Sequence, residues 1–129
     1  MLLTTKVHID NGFKDFQVLK MMCYHSARMY NVGLYSVRQH FFNTEEYLSY
    51  YNNYHLCKTN ENYSLLITDT GQQILRIVDR DMHSFFGLLK LKKLGKYSNP
   101  IHLPKYKDEE GLMTCYIISM KNIITKSCD

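Results

Sequence analysis

The chain has 129 residues, of which 45% are apolar, and a formal net charge of +4; that is enough for one domain with a buried core and argues against disorder. No apolar run approaches the roughly 18–20 residues of a membrane span, and the opening MLLTTKVHID is too short and too polar for a secretory signal. Cys23, Cys57, Cys115 and Cys128 are far apart with no CxxC pair, and the six histidines are equally scattered, a pattern that predicts reduced thiols in a cytoplasmic protein and no metal site.

Taken in order, MLLTTKVHI alternates through Leu3, Thr5, Val7 and Ile9 and reads as a strand over residues 1–10. Asp10-Asn11-Gly12 is a turn and a candidate helix start, because an Asx side chain accepts free backbone N–H groups. From Phe13 to Phe42 the period becomes helical: Phe16, Leu19, Cys23, Ala27, Tyr30, Leu34, Val37 and Phe41 recur at steps of three and four. Asn31 or Gly33 is a candidate bend in so long a helix. The tyrosine-rich stretch from Glu45 to Asn62 predicts a short helix and a loop.

Thr68-Asp69-Thr70-Gly71 supplies capping residue types for a further long helix. Its expected buried stripe is Leu75, Val78, Met82, Phe85 and Leu89; the opposite stripe is Gln72, Arg76, Asp79, His83, Gly87 and Lys90. Asn99-Pro100 and Leu103-Pro104 then make an extended loop, and LMTCYIISM (112–120) returns to strand propensity. Two lone strands do not make a stable sheet, so they must pair with each other or with strands from elsewhere. The expected organisation is therefore a helical module (11–95) between a first strand (1–10) and a basic loop with a return strand (96–129).

Charge is concentrated after the last long helix. Lys90, Lys92, Lys93, Lys96, Lys105 and Lys107 lie between Met82 and Lys107, a span with no Asp or Glu. A local field of one sign points to an anionic partner, most often nucleic acid or an anionic membrane, with a solvated lysine face as the plain alternative. Lysines follow phosphates, tyrosines stack on bases, and Gln72 and Arg76 are types that read base edges. Asp79 and Asp81 are two apart on a helix and diverge, Asp108-Glu109-Glu110 reads as a solvated turn, and no nucleophile motif or phosphate loop is present. The residues thus predict a binding protein with no catalytic residue, no cofactor, no small-molecule substrate and no membrane partner. A helical protein-interaction module and an inactive remnant are the alternatives.

ARMYNVGLYSVRQHFF (27–42), YLSY (47–50), QQILRIVDRDMHSFFGLLK (72–90) and LPKYK (103–107) together resemble the N-terminal part of the TnpB family, transposon-encoded RNA-guided nucleases long regarded as transposases. The resemblance implies an α+β, mainly α fold: a helical recognition bundle inserted between strands of an incomplete wedge-type β-barrel, often described as a helix-turn-helix domain. It implies DNA and structured guide RNA as partners, and a flanking motif contacted by Tyr50 and Gln72. A position just before the third helix that is lysine in some members is Thr68 here. The RuvC-like catalytic domain and four-cysteine zinc motif of the family have no counterpart in the chain. The resemblance therefore implies an N-terminal fragment that binds and does not cut, with the nuclease part as a further candidate partner.

Overall fold

The computed structural model describes residues 3–116, which form four helices: α1 (Phe16–Thr44), α2 (Tyr50–Cys57), α3 (Glu61–Leu65) and α4 (Thr68–Lys93). The expected α+β architecture with a wedge-type barrel is overturned, because the described residues contain no strand and the fold is all-α. Residues 3–10 are irregular and exposed, as are the alternate residues of 112–116, while 117–120 of the expected return strand lie outside the described residues. The physical reason is already present in the chain: neither segment has a strand to pair with. Residues 96–116 instead turn back along α1 as a return segment, held by side chains of the helices.

The core lies where α1 crosses α4, the most extensive of the helix pairings. Met29, Tyr30, Leu34 and Val37 of α1 meet Ile74, Leu75, Val78 and Met82 of α4, and Leu48, Cys57, Tyr63 and Leu66 close the cluster from the intervening segment. Gly33 lies inside α1, which runs unbroken from Phe16 to Thr44. It sits at the crossing, where an added Cβ would stand 2.7 Å from Leu75 Cδ2 and 3.3 Å from Val78 Cγ2. Its carbonyl accepts from the buried amide of Asn53 at 3.3 Å, and Cys57 Sγ donates to the same amide's oxygen at 3.3 Å. Both ends of that amide are therefore satisfied within the core.

The expected stripe of α4 is buried through Leu75, Val78 and Met82, and Phe85 packs at its edge. In the stripe of α1, Ala27, Tyr30, Leu34 and Val37 are buried and Phe16, Leu19, Cys23 and Phe41 are half-buried; Val18, Met21 and Tyr24, off the stripe, are exposed. The Asp10 turn forms, with Gly12 N–H donating to Asp10 Oδ1 at 2.9 Å, but α1 begins only at Phe16. Capping by the Thr68–Gly71 run does not occur: the N-cap position is Ile67, without a side-chain bond, and the Thr70 hydroxyl donates to the Tyr116 carbonyl at 2.7 Å. The short helices are capped by Ser49 and Asn60.

α4 ends in a Schellman arrangement. Gly95 has φ 71, its N–H donates to Lys92 O at 3.0 Å, and Lys96 N–H donates to Leu91 O at 3.0 Å. α1 ends in the same left-handed region at Glu45, φ 58, without the help of glycine. No helix of the described residues is long and apolar enough to cross a membrane.

Candidate nucleic-acid interface

Three of the sequence-predicted residues gather where α2 meets α4. The Arg76 guanidinium lies over the Tyr50 ring at 4.7 Å from its centroid, a cation–π stack. Gln72 is one turn N-terminal to Arg76, half-exposed, and faces the Tyr63 hydroxyl. Tyr63 itself packs edge-on to Tyr54 at 6.1 Å and covers Gly71, where a Cβ would meet its ring at 2.7 Å. Burial, reinforced by Tyr54 and partly offset by Gln72, pushes the Tyr63 hydroxyl up to about 12. Polar donors and ring faces thus share one small surface.

The lysines gather at the other end of the same helix. Lys90, Lys92 and Lys93 occupy the last turn of α4 and Lys96 follows the glycine cap; all four are exposed. Cations at a helix C-terminus are favoured by the peptide dipoles, so the sequence stabilises the element that displays them. Five helical turns separate Gln72 from Lys90, which puts them at one azimuth about 27 Å apart. Between them on that face is Asp79, which accepts from the Tyr47 hydroxyl and pairs with His83 Nε2 at 3.4 Å.

Lys105 and Lys107 differ from one another. Lys105 is exposed, whereas Lys107 is half-buried with its ammonium 4.8 Å from the centre of the Tyr30 ring. The Lys107 backbone is clamped by Asn31, which accepts from its N–H at 2.7 Å and donates to its carbonyl at 3.0 Å. The Arg28 guanidinium donates to the Asp108 carbonyl, and Arg38 stacks on Tyr106 at 4.9 Å. Lys107 therefore fastens the return segment, and its charge faces an aromatic ring. No local pattern signals this clamp, since Asn31 and Lys107 are 76 residues apart.

Two carboxylates of α4, Asp79 and Asp81, accept from tyrosine hydroxyls. Tyr30 donates to Asp81 Oδ2 at 2.7 Å, and Arg80 holds the other oxygen of Asp81 at 3.2 Å. Burial and then the bonded carboxylate push both Tyr30 and Tyr47 well above the ordinary phenol range. Arg80, which no sequence motif singles out, lines a shallow groove with Gln73, Arg76, Ile77 and Tyr116. The salt bridges among the described residues are Arg80–Asp81 and His83–Asp79; none involves a lysine. No three His, Cys, Asp or Glu side chains among the described residues are grouped to hold a metal ion. No protein-family model, curated protein or solved structure matches the chain.

Proposed function

We propose that this helical module binds nucleic acid through α4 and the return segment, in the manner of the recognition module of a TnpB-type nuclease engaging guide RNA, target duplex and flanking motif. The observation that carries the reading is the exposed group Lys90, Lys92, Lys93 and Lys96, to which the fold supplies no carboxylate partner among the described residues. Unpaired cations at this density attract phosphates and release their counterions. Gln72 and Arg76 stand on the same helix, about 27 and 21 Å from Lys90 along its axis, and would meet base edges while the lysines hold the backbone. The segments that resemble the TnpB family lie in α1 (27–42), in α4 (72–90) and in the stretch held by Asn31 (103–107). The proposal assigns binding, and no reaction, to this chain.

The test is anisotropy with a labelled DNA duplex and a labelled RNA hairpin, comparing the native chain with a variant carrying Lys90→Gln, Lys92→Gln, Lys93→Gln and Lys96→Gln together. Four phosphate contacts correspond to a loss of about 100-fold in affinity between about 50 and 200 mM salt. The variant should lose most of the binding and flatten that salt dependence, with its helical circular dichroism retained. Equal affinity in the two proteins would refute the reading.

A second reading has one specific observation behind it. Val18, Met21, Tyr24 and Leu112 are exposed apolar side chains at one end of the molecule, and Met21, Tyr24 and Leu112 line a common groove. A protein partner covering that end would bind with little sensitivity to salt, which separates this reading from the first.

A further inference from the structure

Cys23 and Cys115 are far apart in sequence and meet in the fold. The Met113 N–H donates to the Cys23 carbonyl at 3.3 Å, and the Tyr116 carbonyl accepts from the Thr70 hydroxyl at 2.7 Å. The chain is therefore pinned on both sides of Cys115. Burial alternates along this stretch: Gly111, Met113 and Cys115 are half-buried while Leu112, Thr114 and Tyr116 are exposed. With that period of two, Cys115 faces the helices on the same side as Met113, whose side chain packs against the core. The Cys115 thiol and backbone N–H both lie near enough to the Cys23 thiol to shift its acidity, in opposite directions. Both are free thiols.

We propose that Cys23 and Cys115 are a reversible disulfide site that fastens the return segment to the first half of α1, with a low-molecular-weight disulfide such as oxidised glutathione as the oxidant. One cysteine thiolate attacks the oxidant's sulfur–sulfur bond, expelling one glutathione thiolate and forming a mixed disulfide. The second cysteine thiolate then attacks the protein sulfur of that mixed disulfide and expels the second glutathione thiolate. The two protons lost by the cysteines are taken up by the two leaving thiolates, and the protein loses two electrons to the oxidant. A disulfide requires Cα atoms about 4.4–6.8 Å apart, and the 3.3 Å bond from the Met113 N–H to the Cys23 carbonyl holds the return segment against α1 at this point. Burial raises the Cys23 thiol, followed by the neighbouring Cys115 thiol, and the Cys115 N–H works in the opposite sense; exchange is accordingly slow at neutral pH and faster in mild alkali. Cys57 is not part of the site, since its sulfur is buried against Asn53 and Ser36.

The experiment uses the full chain with Cys128→Ser, treated with millimolar oxidised glutathione at mildly alkaline pH. The expected result is a mass decrease of two hydrogens and a tryptic fragment joining the Cys23 and Cys115 peptides. The melting temperature should rise by about 5–10 °C, because the crosslink restrains a long loop of the unfolded chain, and dithiothreitol should reverse the rise. Hydrogen exchange at the amides of 107–116 should slow in the oxidised form. A second variant, Cys115→Ser, must abolish the thermal shift. Persistent glutathione adducts at either cysteine, a link to Cys57, or two unmodified thiols after full treatment would each overturn the proposal.

Discussion

Asn31→Ala is the substitution that isolates how the return segment is held. It removes two hydrogen bonds at once, the one at 2.7 Å from the Lys107 N–H and the one at 3.0 Å to the Lys107 carbonyl. At about 1 kcal/mol net for each bond, the direct loss is about 2 kcal/mol. Against it stands the better helix propensity of alanine inside α1, worth about 0.6 kcal/mol. Because Lys107 is only half-buried, its freed backbone groups recover water and add no further desolvation penalty. The net expectation is a destabilisation of about 1–1.5 kcal/mol, measured by urea unfolding, with the m-value preserved. The loss should be local as well as global: the Lys107 and Met113 amides should exchange faster, while amides of the α1–α4 crossing should change only by the global amount. Asn31→Asp retains the acceptor and loses the donor, and should fall between the two. If Asn31→Ala unfolds at the native urea midpoint and the Lys107 amide keeps its protection, the clamp holds nothing and the reasoning fails.

Gly33→Ala places a methyl 2.7 Å from Leu75 Cδ2, on a fully buried side chain, and 3.3 Å from Val78 Cγ2; overpacking of about 1–3 kcal/mol outweighs the roughly 1 kcal/mol that alanine gains in a helix, so the melting temperature should fall. Glu45→Gly relieves a side chain held at φ 58 and should stabilise the chain by about 1 kcal/mol in the same assay. The hydroxyls of Tyr30 and Tyr47 are raised above their ordinary value in the folded state. Their contribution is then fully present below pH about 10 and is lost as pH rises further, because the unfolded chain gives up those protons first. Tyr30→Phe and Tyr47→Phe should each flatten the alkaline limb of stability against pH; an unchanged limb in both would show that the two hydroxyls are not protected.

The long helices are legible because their signal is local. A stripe repeating every three to four residues marks α4 through Leu75, Val78 and Met82, and the same period marks α1. The alternation at Leu3–Ile9 is just as local and misleads, because a strand is completed by a partner that no local pattern specifies. Gly33 reads as a bend for a related reason: a glycine tolerated in a helix looks the same whether it kinks the helix or admits a neighbour. At the candidate interface, the lysine cluster is visible in the composition alone. The inward use of Asp79 and Asp81, the stacking of Arg76 on Tyr50 and the fastening role of Lys107 join residues far apart in the chain. No spacing rule reaches across such separations.

That inward use of carboxylates bears on the interface as a whole. An isolated helix carrying acids at 79 and 81 and lysines at 90, 92 and 93 would have a mixed field along its length. Here Asp79 faces the Tyr47 hydroxyl and His83, and Asp81 faces the Tyr30 hydroxyl and Arg80, so their negative charge is shared with donors of the fold. The lysines begin eleven residues beyond Asp79, about 16 Å away along the axis, which exceeds the Debye length of about 8 Å at physiological salt. The acids of α4 at 79 and 81 therefore do little to neutralise the lysine end. Removing the acids should change stability through Tyr30 and Tyr47 and leave polyanion affinity nearly unaltered, whereas removing the lysines should do the reverse. A double-mutant cycle between Asp81→Asn and Lys90→Gln, read by anisotropy, would return additive effects if the two ends of α4 are electrically separate; a coupling above about 0.5 kcal/mol would mean that the carboxylates shape the field at the lysines after all.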